Sequence, residues 1–371
     1  MEKHSPLRWI IRLSFAFMIA FLLFRLSPPR PLVIIGSPKT VLTTHPIVGV
    51  HTRLTDEVEE WKIQKTLQMV REMGAPTIVE FFPWAYVQSE KGGEFDWSHS
   101  DLVIDHAVSQ GIDVIARLGT VPAWARPDPE IQATTWNWLD EEHFDDFALY
   151  VSAFVEQYQG KVNKIIIWNE PNLAFEWGME KPDPFKYSRL LAKSYQAAKG
   201  ANPKITVLGG ALAPTLEPED SNAGMNDLVF LERMYEEGAS AYFDALAVHA
   251  YGWAFPPKEP PSAEVINFRR VELLHDIMLQ YGDAHKPVYI TESGWNDHPR
   301  WSKAVRPGQR VQYTLDALAY AETHWPWVKS VAIWAFRFPA PQRSYADYFA
   351  LVTPDFSPKM IYQSLQEYTQ P

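Results

Sequence analysis

Two glutamates carry the chemistry of this sequence. Glu170 stands in Trp168-Asn169-Glu170-Pro171-Asn172, directly after Lys164-Ile165-Ile166-Ile167. Glu292 opens Glu292-Ser293-Gly294-Trp295, directly after Pro287-Val288-Tyr289-Ile290-Thr291. Each follows a short apolar run that reads as a fully buried strand. A carboxylate is expensive to bury and rarely ends such a strand without a task. Pro171 cannot donate to a ladder and biases Glu170 toward an extended backbone, so the strand stops there with Asn169 and Glu170 at its C-terminal lip. Two carboxyl groups at the C-terminal ends of two buried strands are what glycoside hydrolysis requires. One protonates the leaving oxygen and the other attacks or assists.

Other side chains fall near strand ends. His249 and Tyr251 close Ala247-Val248-His249-Ala250-Tyr251. A tyrosine there can donate to Glu292 and hold it ionised, and a histidine can bond the acid or a sugar hydroxyl. Asn169 offers a neutral donor and acceptor beside Glu170, suited to a sugar 2-hydroxyl. Trp334 ends another apolar run and is expected to floor the pocket. Trp84, Trp124, Trp177, Trp253 and Trp295 also follow strand-like runs, and flat apolar faces suit the C–H faces of sugar rings. From these, Trp84, Trp124, Trp295 and Trp334 are expected to bind substrate. Core packing is the competing reading for each. His51, Arg53, Glu80 and Arg117 are weaker candidates, with Arg117 able to orient a carboxylate.

These residues need a scaffold. Strand-like runs over 47–51, 77–82, 112–118, 164–168, 205–210, 243–249, 288–291 and 328–334 alternate with helix-like runs. The helices are expected over 58–73, 101–110, 141–158, 185–199, 226–237, 262–281, 308–324 and 358–368. Eight βα units predict an α/β chain folded as a (β/α)8 TIM barrel, with the long loops after the strands building the active face. A doubly wound sheet fits less well, because no glycine-rich phosphate loop follows the first strand. In a barrel, strands four and seven face each other across the mouth. Glu170 and Glu292 are then expected about 5–5.5 Å apart, the spacing of a retaining pair.

Composition narrows the function classes. Hydrophobic residues make up 46% of the 371, which excludes wholesale disorder. The net charge of -11, without a basic run, predicts no nucleic-acid partner. With no cysteine there is no disulfide, thiolate metal site or thiol nucleophile. Zincin, P-loop and serine-hydrolase motifs are missing from the sequence, and no cofactor or metal is expected.

The N-terminus reads separately. Lys3, Arg8 and Arg12 precede an uncharged stretch, Leu13 to Phe24, which Arg25 closes. Residues 1–26 are expected to form a hydrophobic signal-anchor helix, with a cleaved signal peptide as the alternative. A linker over 27–44 and a glycosidase domain over 45–371 follow. The expected location is a membrane anchor with the domain outside the cytoplasm, or secretion if the signal is cleaved.

Across residues 47–368 the chain resembles glycoside hydrolase clan A, the TIM-barrel retaining glycosidases that include cellulases, mannanases, β-xylosidases and β-galactosidases. Trp168-Asn169-Glu170-Pro171 resembles the clan's acid/base signature at strand four, and Thr291-Glu292-Ser293-Gly294 its nucleophile signature at strand seven. His249, Tyr251 and Trp334 match positions usually filled at strands six and eight. Pro83-Trp84 with Glu90–Trp97, and Pro122-Ala123-Trp124, are similar to the second and third βα loops of xylosidase-like and cellulase-like members. The likeness is nearest to the β-xylosidase and exopolysaccharide-endoglycosidase branch. One departure is that many relatives carry an arginine on strand two, bonding the nucleophile, where Val79 stands here before Glu80; Arg53 or Arg117 is expected to substitute. The resemblance implies a retaining hydrolase of β-linked poly- or oligosaccharide, with Glu170 as acid/base and Glu292 as nucleophile. A catalytically silent carbohydrate-binding or assembly protein, and a transglycosylase, are the alternatives.

Overall fold

The computed structural model describes residues 12–18, 33–127 and 137–371. The chain divides into two units, 1–34 and 35–371. In the first, residues 12–18 are helical. Among the described residues no helix is long and apolar enough to cross a membrane. The expected anchor over 1–26 lies mostly outside them, and nothing described supports it.

The second unit is a closed parallel barrel with strands in sequence order. The strands are β1 (Val48–His51), β2 (Thr77–Pro83), β3 (Asp113–Gly119), β4 (Lys164–Ile167), β5 (Thr206–Leu212), β6 (Ala245–Tyr251), β7 (Val288–Gly294) and β8 (Val328–Ile333). The barrel helices are α1 (Glu60–Glu72), α2 (Ser98–Ser109), α3 (Phe144–Gln157), α4 (Pro184–Ala201), α5 (Asp227–Glu236), α6 (Val271–Gln280), α7 (Pro307–His324) and α8 (Met360–Thr369). Every strand feeds a helix that covers it, so both faces of the sheet are buried and the strands read as continuous apolar runs.

Two apolar layers hold this together. Val48, Val50, Ile78, Val114, Ile165 and Ile167 point outward and pack in the main core with helix residues such as Leu67, Phe154 and Leu190. The alternate positions Val79, Ile115, Ile166, Leu208, Ala245, Ala247, Tyr289 and Ala332 fill the barrel interior. The strand period of two therefore places Arg117 one step above Ile115, and His249 and Tyr251 one and two steps above Ala247, toward the mouth.

Two expectations are corrected here. The helix foreseen over 262–281 starts only at Val271. Arg270 makes a buried ion pair with Asp227, and its Nη1 also donates to the carbonyls of Ser262 and Ala263 at 3.0 and 2.9 Å. Those carbonyls are taken by a side chain, and 262–267 stays a loop. The linker foreseen over 27–44 also ends early. Lys39 N donates to Ser109 O at 2.8 Å and Thr44 N to Thr369 O at 3.0 Å, tying this stretch across the barrel face opposite the mouth.

Candidate active site

The mouth of the barrel gathers its polar groups around Glu292. On β6 and β7, His249 is the register partner of Glu292, just past an irregularity after Val248, and a second irregularity on β7 lies between Ile290 and Ser293. Such bulges re-aim side chains at a sheet's end. The Tyr251 hydroxyl donates to Glu292 Oε2 at 2.7 Å. Arg117 Nη1 donates both to Glu292 Oε1 at 2.9 Å and to Asn169 Oδ1 at 2.7 Å. One carboxylate oxygen of Glu170, one of Glu292 and a ring nitrogen of His249 lie within 4.8 Å of one another.

The departure on β2 has a geometric answer. Val79 belongs to the interior layer, too deep to reach the mouth. The arginine is instead on β3, where Arg117 lies over the ring of its register partner Phe81, 5.0 Å from the centroid. Arg53 pairs with Asp56 at the lip. Glu80 is buried and accepts from the Thr52 hydroxyl at 2.6 Å and from the Leu54 and Thr55 amides at 2.8 and 3.2 Å, so it pins the loop after β1. Burial raises its pKa.

The backbone at Glu170 differs from expectation. Glu170 has φ 44 and Trp168 φ 74, both left-handed, not extended. The preference imposed by Pro171 is overridden by three anchors. Trp168 N donates to Leu118 O at 2.9 Å, Glu170 N to Ala211 O at 3.0 Å, and the Trp168 indole to Glu176 O at 2.8 Å. A non-glycine residue held there costs on the order of 1–3 kcal/mol, and such strain gathers at functional sites.

Charge separates the groups. Burial opposes ionisation of Glu292, but the positive charge of His249 leads the groups that outweigh it, with Arg117 and the Tyr251 hydroxyl beside it, and the pKa of Glu292 is lowered. Burial likewise opposes charge on His249, yet Glu292 and Glu170 raise its pKa. Its Nδ1 is 2.7 Å from Glu170 Oε1 and 3.6 Å from Glu292 Oε2, so it stands between the two carboxylates. His51 is pushed down to about 3 by burial and by Arg117, and is neutral at working pH. Its Nε2 lies 3.6 Å from Glu292 Oε1.

The tryptophans divide. Trp334 is half-buried beside Tyr251, with ring centroids 6.4 Å apart. Trp124 is half-buried and donates to Gln88 O at 3.3 Å. Trp84 and Trp295 are 0% and 2% exposed and have no surface to offer a sugar. Trp84 is enclosed by Trp124, Phe147 and Tyr150. Trp295 donates to Phe255 O at 2.8 Å and packs over Gly252, where a Cβ would meet its ring at 1.9 Å. Placement after a strand does not say on which side of the sheet an indole falls.

Sequence reasoning missed Glu176. It follows β4 in a short 3-10 turn and lines, with His51, Arg117, Asn137 and Asn169, a cavity of about 190 Å³ beside the carboxylate pair. Its one sequence signal was proximity to Glu170.

The closed parallel barrel is a fold shared with solved structures of glycoside hydrolases. A family 39 glycoside hydrolase from Bacteroides cellulosilyticus WH2 superposes with a TM-score of 0.68 at 20% identity, over 91% of this chain and 65% of that one. A monomeric β-xylosidase from Caulobacter crescentus CB15 gives 0.63 at 18%, over 89% and 69%. An exo-β-1,4-mannosidase from Opitutaceae bacterium strain TAV5 gives 0.59 at 16%, over 91% and 61%. At these identities the likeness is one of fold, and the chain spans about two thirds of their lengths. No protein-family model matches the sequence, and no curated protein does.

Proposed function

We propose that this chain is a retaining glycoside hydrolase acting on a β-linked poly- or oligosaccharide. The observation that carries the reading is the approach of Glu170 and Glu292, with carboxyl oxygens within 4.8 Å, beside neighbours that favour the ionised form of Glu292. Inverting pairs need about 6.5–9.5 Å between carboxyl groups to admit a water, and retaining pairs stand closer. Glu292, held ionised, attacks the anomeric carbon, while Glu170, hydrogen-bonded to His249, gives a proton to the departing oxygen. A covalent glycosyl-enzyme results. Water then loses its proton to Glu170, attacks the anomeric carbon and frees Glu292.

Arg117 ties nucleophile and sugar contact together, because the nitrogen that holds Glu292 also fixes the amide of Asn169. Asn169 is thereby aimed at the 2-position of the bound sugar, where a hydrogen bond strengthens as the oxocarbenium ion forms. Completeness of this arrangement favours turnover over binding alone. The test is hydrolysis of aryl β-glycosides by residues 35–371, with the anomer of the first-formed product identified by NMR. Retained configuration supports the reading, inverted configuration overturns the mechanism, and sugar-acceptor products in place of free sugar identify a transglycosylase.

A further inference from the structure

We propose that Glu176 makes this site selective for a sugar bearing a free amino group at position 2. The inference rests on the glycosidase reading above. Glu176 lines the cavity beside the carboxylate pair, and its Oε2 accepts from the Asn137 amide at 2.5 Å. The Asn169 amide stabilises its charged form by hydrogen bonding. Both partners are neutral. Among the described residues no lysine, arginine or histidine forms an ion pair with Glu176. The charge of Arg117 acts on Glu176 from nearby and lowers its pKa, but the hydrogen bonds of Arg117 go to Glu292 and Asn169, and Arg53 pairs with Asp56. Residues 128–136, which precede Asn137 in the chain, carry Asp128 and Glu130 but no basic residue. Burial, and then the nearby charge of Glu170, push its carboxyl up to about 7 against the opposing pull of Arg117.

A second observation points to a ligand in the same cavity. His51 lines it at 1% exposed, and neither ring nitrogen has a hydrogen-bond partner among the described residues. Buried polar groups left unsatisfied are costly and call for a partner. A neutral imidazole there offers a donor and an acceptor to a sugar hydroxyl. The cavity thus presents groups for neutral hydroxyls and, separately, one carboxylate without an ion pair among the described residues.

Position selects the substituent. Asn169 addresses the 2-position through its place beside Glu170, and Glu176 lies against Asn169. An ammonium at C2 would neutralise Glu176 and form a charge-assisted hydrogen bond, which is roughly twice as strong as a neutral one. A hydroxyl would leave Glu176 without an ion pair, and an N-acetyl group would place a bulky neutral amide against it.

The experiment compares 4-nitrophenyl 2-amino-2-deoxy-β-glucoside and β-galactoside with their 2-hydroxy counterparts, using the wild type, Glu176→Gln and Glu176→Asp. Thermal melts establish that each variant is folded. The expected result is a wild-type kcat/KM at least about tenfold higher for the amino substrates. Glu176→Gln removes that preference, mainly through KM, and Glu176→Asp keeps part of it. A wild-type preference for the hydroxy substrates, or an equal loss on both in Glu176→Gln, overturns the proposal and leaves Glu176 as a support for Asn169. If neither set is hydrolysed, the glycosidase reading fails on its own. Calorimetric binding of glucosamine against glucose then decides, with selective glucosamine binding lost in Glu176→Gln supporting the inference and its absence overturning it.

Discussion

The Tyr251 hydroxyl and Glu292 Oε2 are 2.7 Å apart, with the hydroxyl donating. Burial pushes the phenol's own pKa well above the ordinary value, so Tyr251 stays protonated and keeps donating. A hydroxyl donor bonds an ionised carboxylate more strongly than a neutral acid, which makes Tyr251 a fixed bias toward the ionised form of Glu292.

Tyr251→Phe therefore moves the acid limb of kcat/KM to higher pH. The sign follows from Glu292, whose folded-state pKa lies below its ordinary value. Its ionisation contributes stability above the unfolded pKa, about 4.3, and that contribution is lost as pH falls through the lower folded value. Removing a donor to the ionised form brings that loss to higher pH. Rates from acid to neutral pH check this, and an unmoved acid limb would reject the role.

Glu292→Gly should abolish hydrolysis yet accept azide as an external nucleophile, giving a glycosyl azide of inverted configuration. Glu170→Ala should still react with aryl substrates that carry good leaving groups, with azide rescuing the second step to give retained configuration. NMR of the two azides checks the assignment. If the configurations are exchanged, the roles of the two glutamates are reversed.

Arg117→Lys keeps the charge but loses the rigid guanidinium plane that aims one nitrogen, Nη1, at both Glu292 and Asn169. A fall in kcat of about 10²–10³, comparable to loss of one oriented donor, is expected with little change in melting temperature. Steady-state kinetics with a thermal melt on the same sample separates the two effects.

The buried indoles predict the opposite pattern. Trp84→Ala should cost about 3–5 kcal/mol of stability. Gly252→Ala drives a methyl into the Trp295 ring and should cost about 1–3 kcal/mol or more. Both act through folding, so denaturant titration moves while KM for aryl glycosides of the surviving folded fraction does not.

Residues 1–26 keep the expectation of a membrane anchor from their sequence alone. Carbonate extraction of membranes expressing the full chain tests it. Intact protein in the soluble fraction would reject the anchor.

The barrel was legible because strands buried on both faces read as short apolar runs, and amphipathic helices separate them at regular intervals. The glutamate pair was legible for a related reason: a charge ending such a run stands out. What escaped lies where period gives no guidance. Glu176 and Asn137 sit in irregular chain, and their approach depends on the turn after β4. Trp84 and Trp295 were misjudged because an indole is as much at home in a core as against a sugar. The arginine that holds Glu292 could be narrowed to Arg53 or Arg117. Only the interior register, with Val79 in the barrel's apolar layer and Arg117 above Ile115, separates them.

The left-handed backbone at Glu170 has one more consequence. Glycine adopts that conformation without the steric penalty a glutamate carries. Glu170→Gly is therefore expected to raise the melting temperature while it removes the carboxyl group proposed as the acid. At this position the most durable version of the protein and the working version are different sequences, and a library screened for heat resistance alone would drift toward an inert barrel.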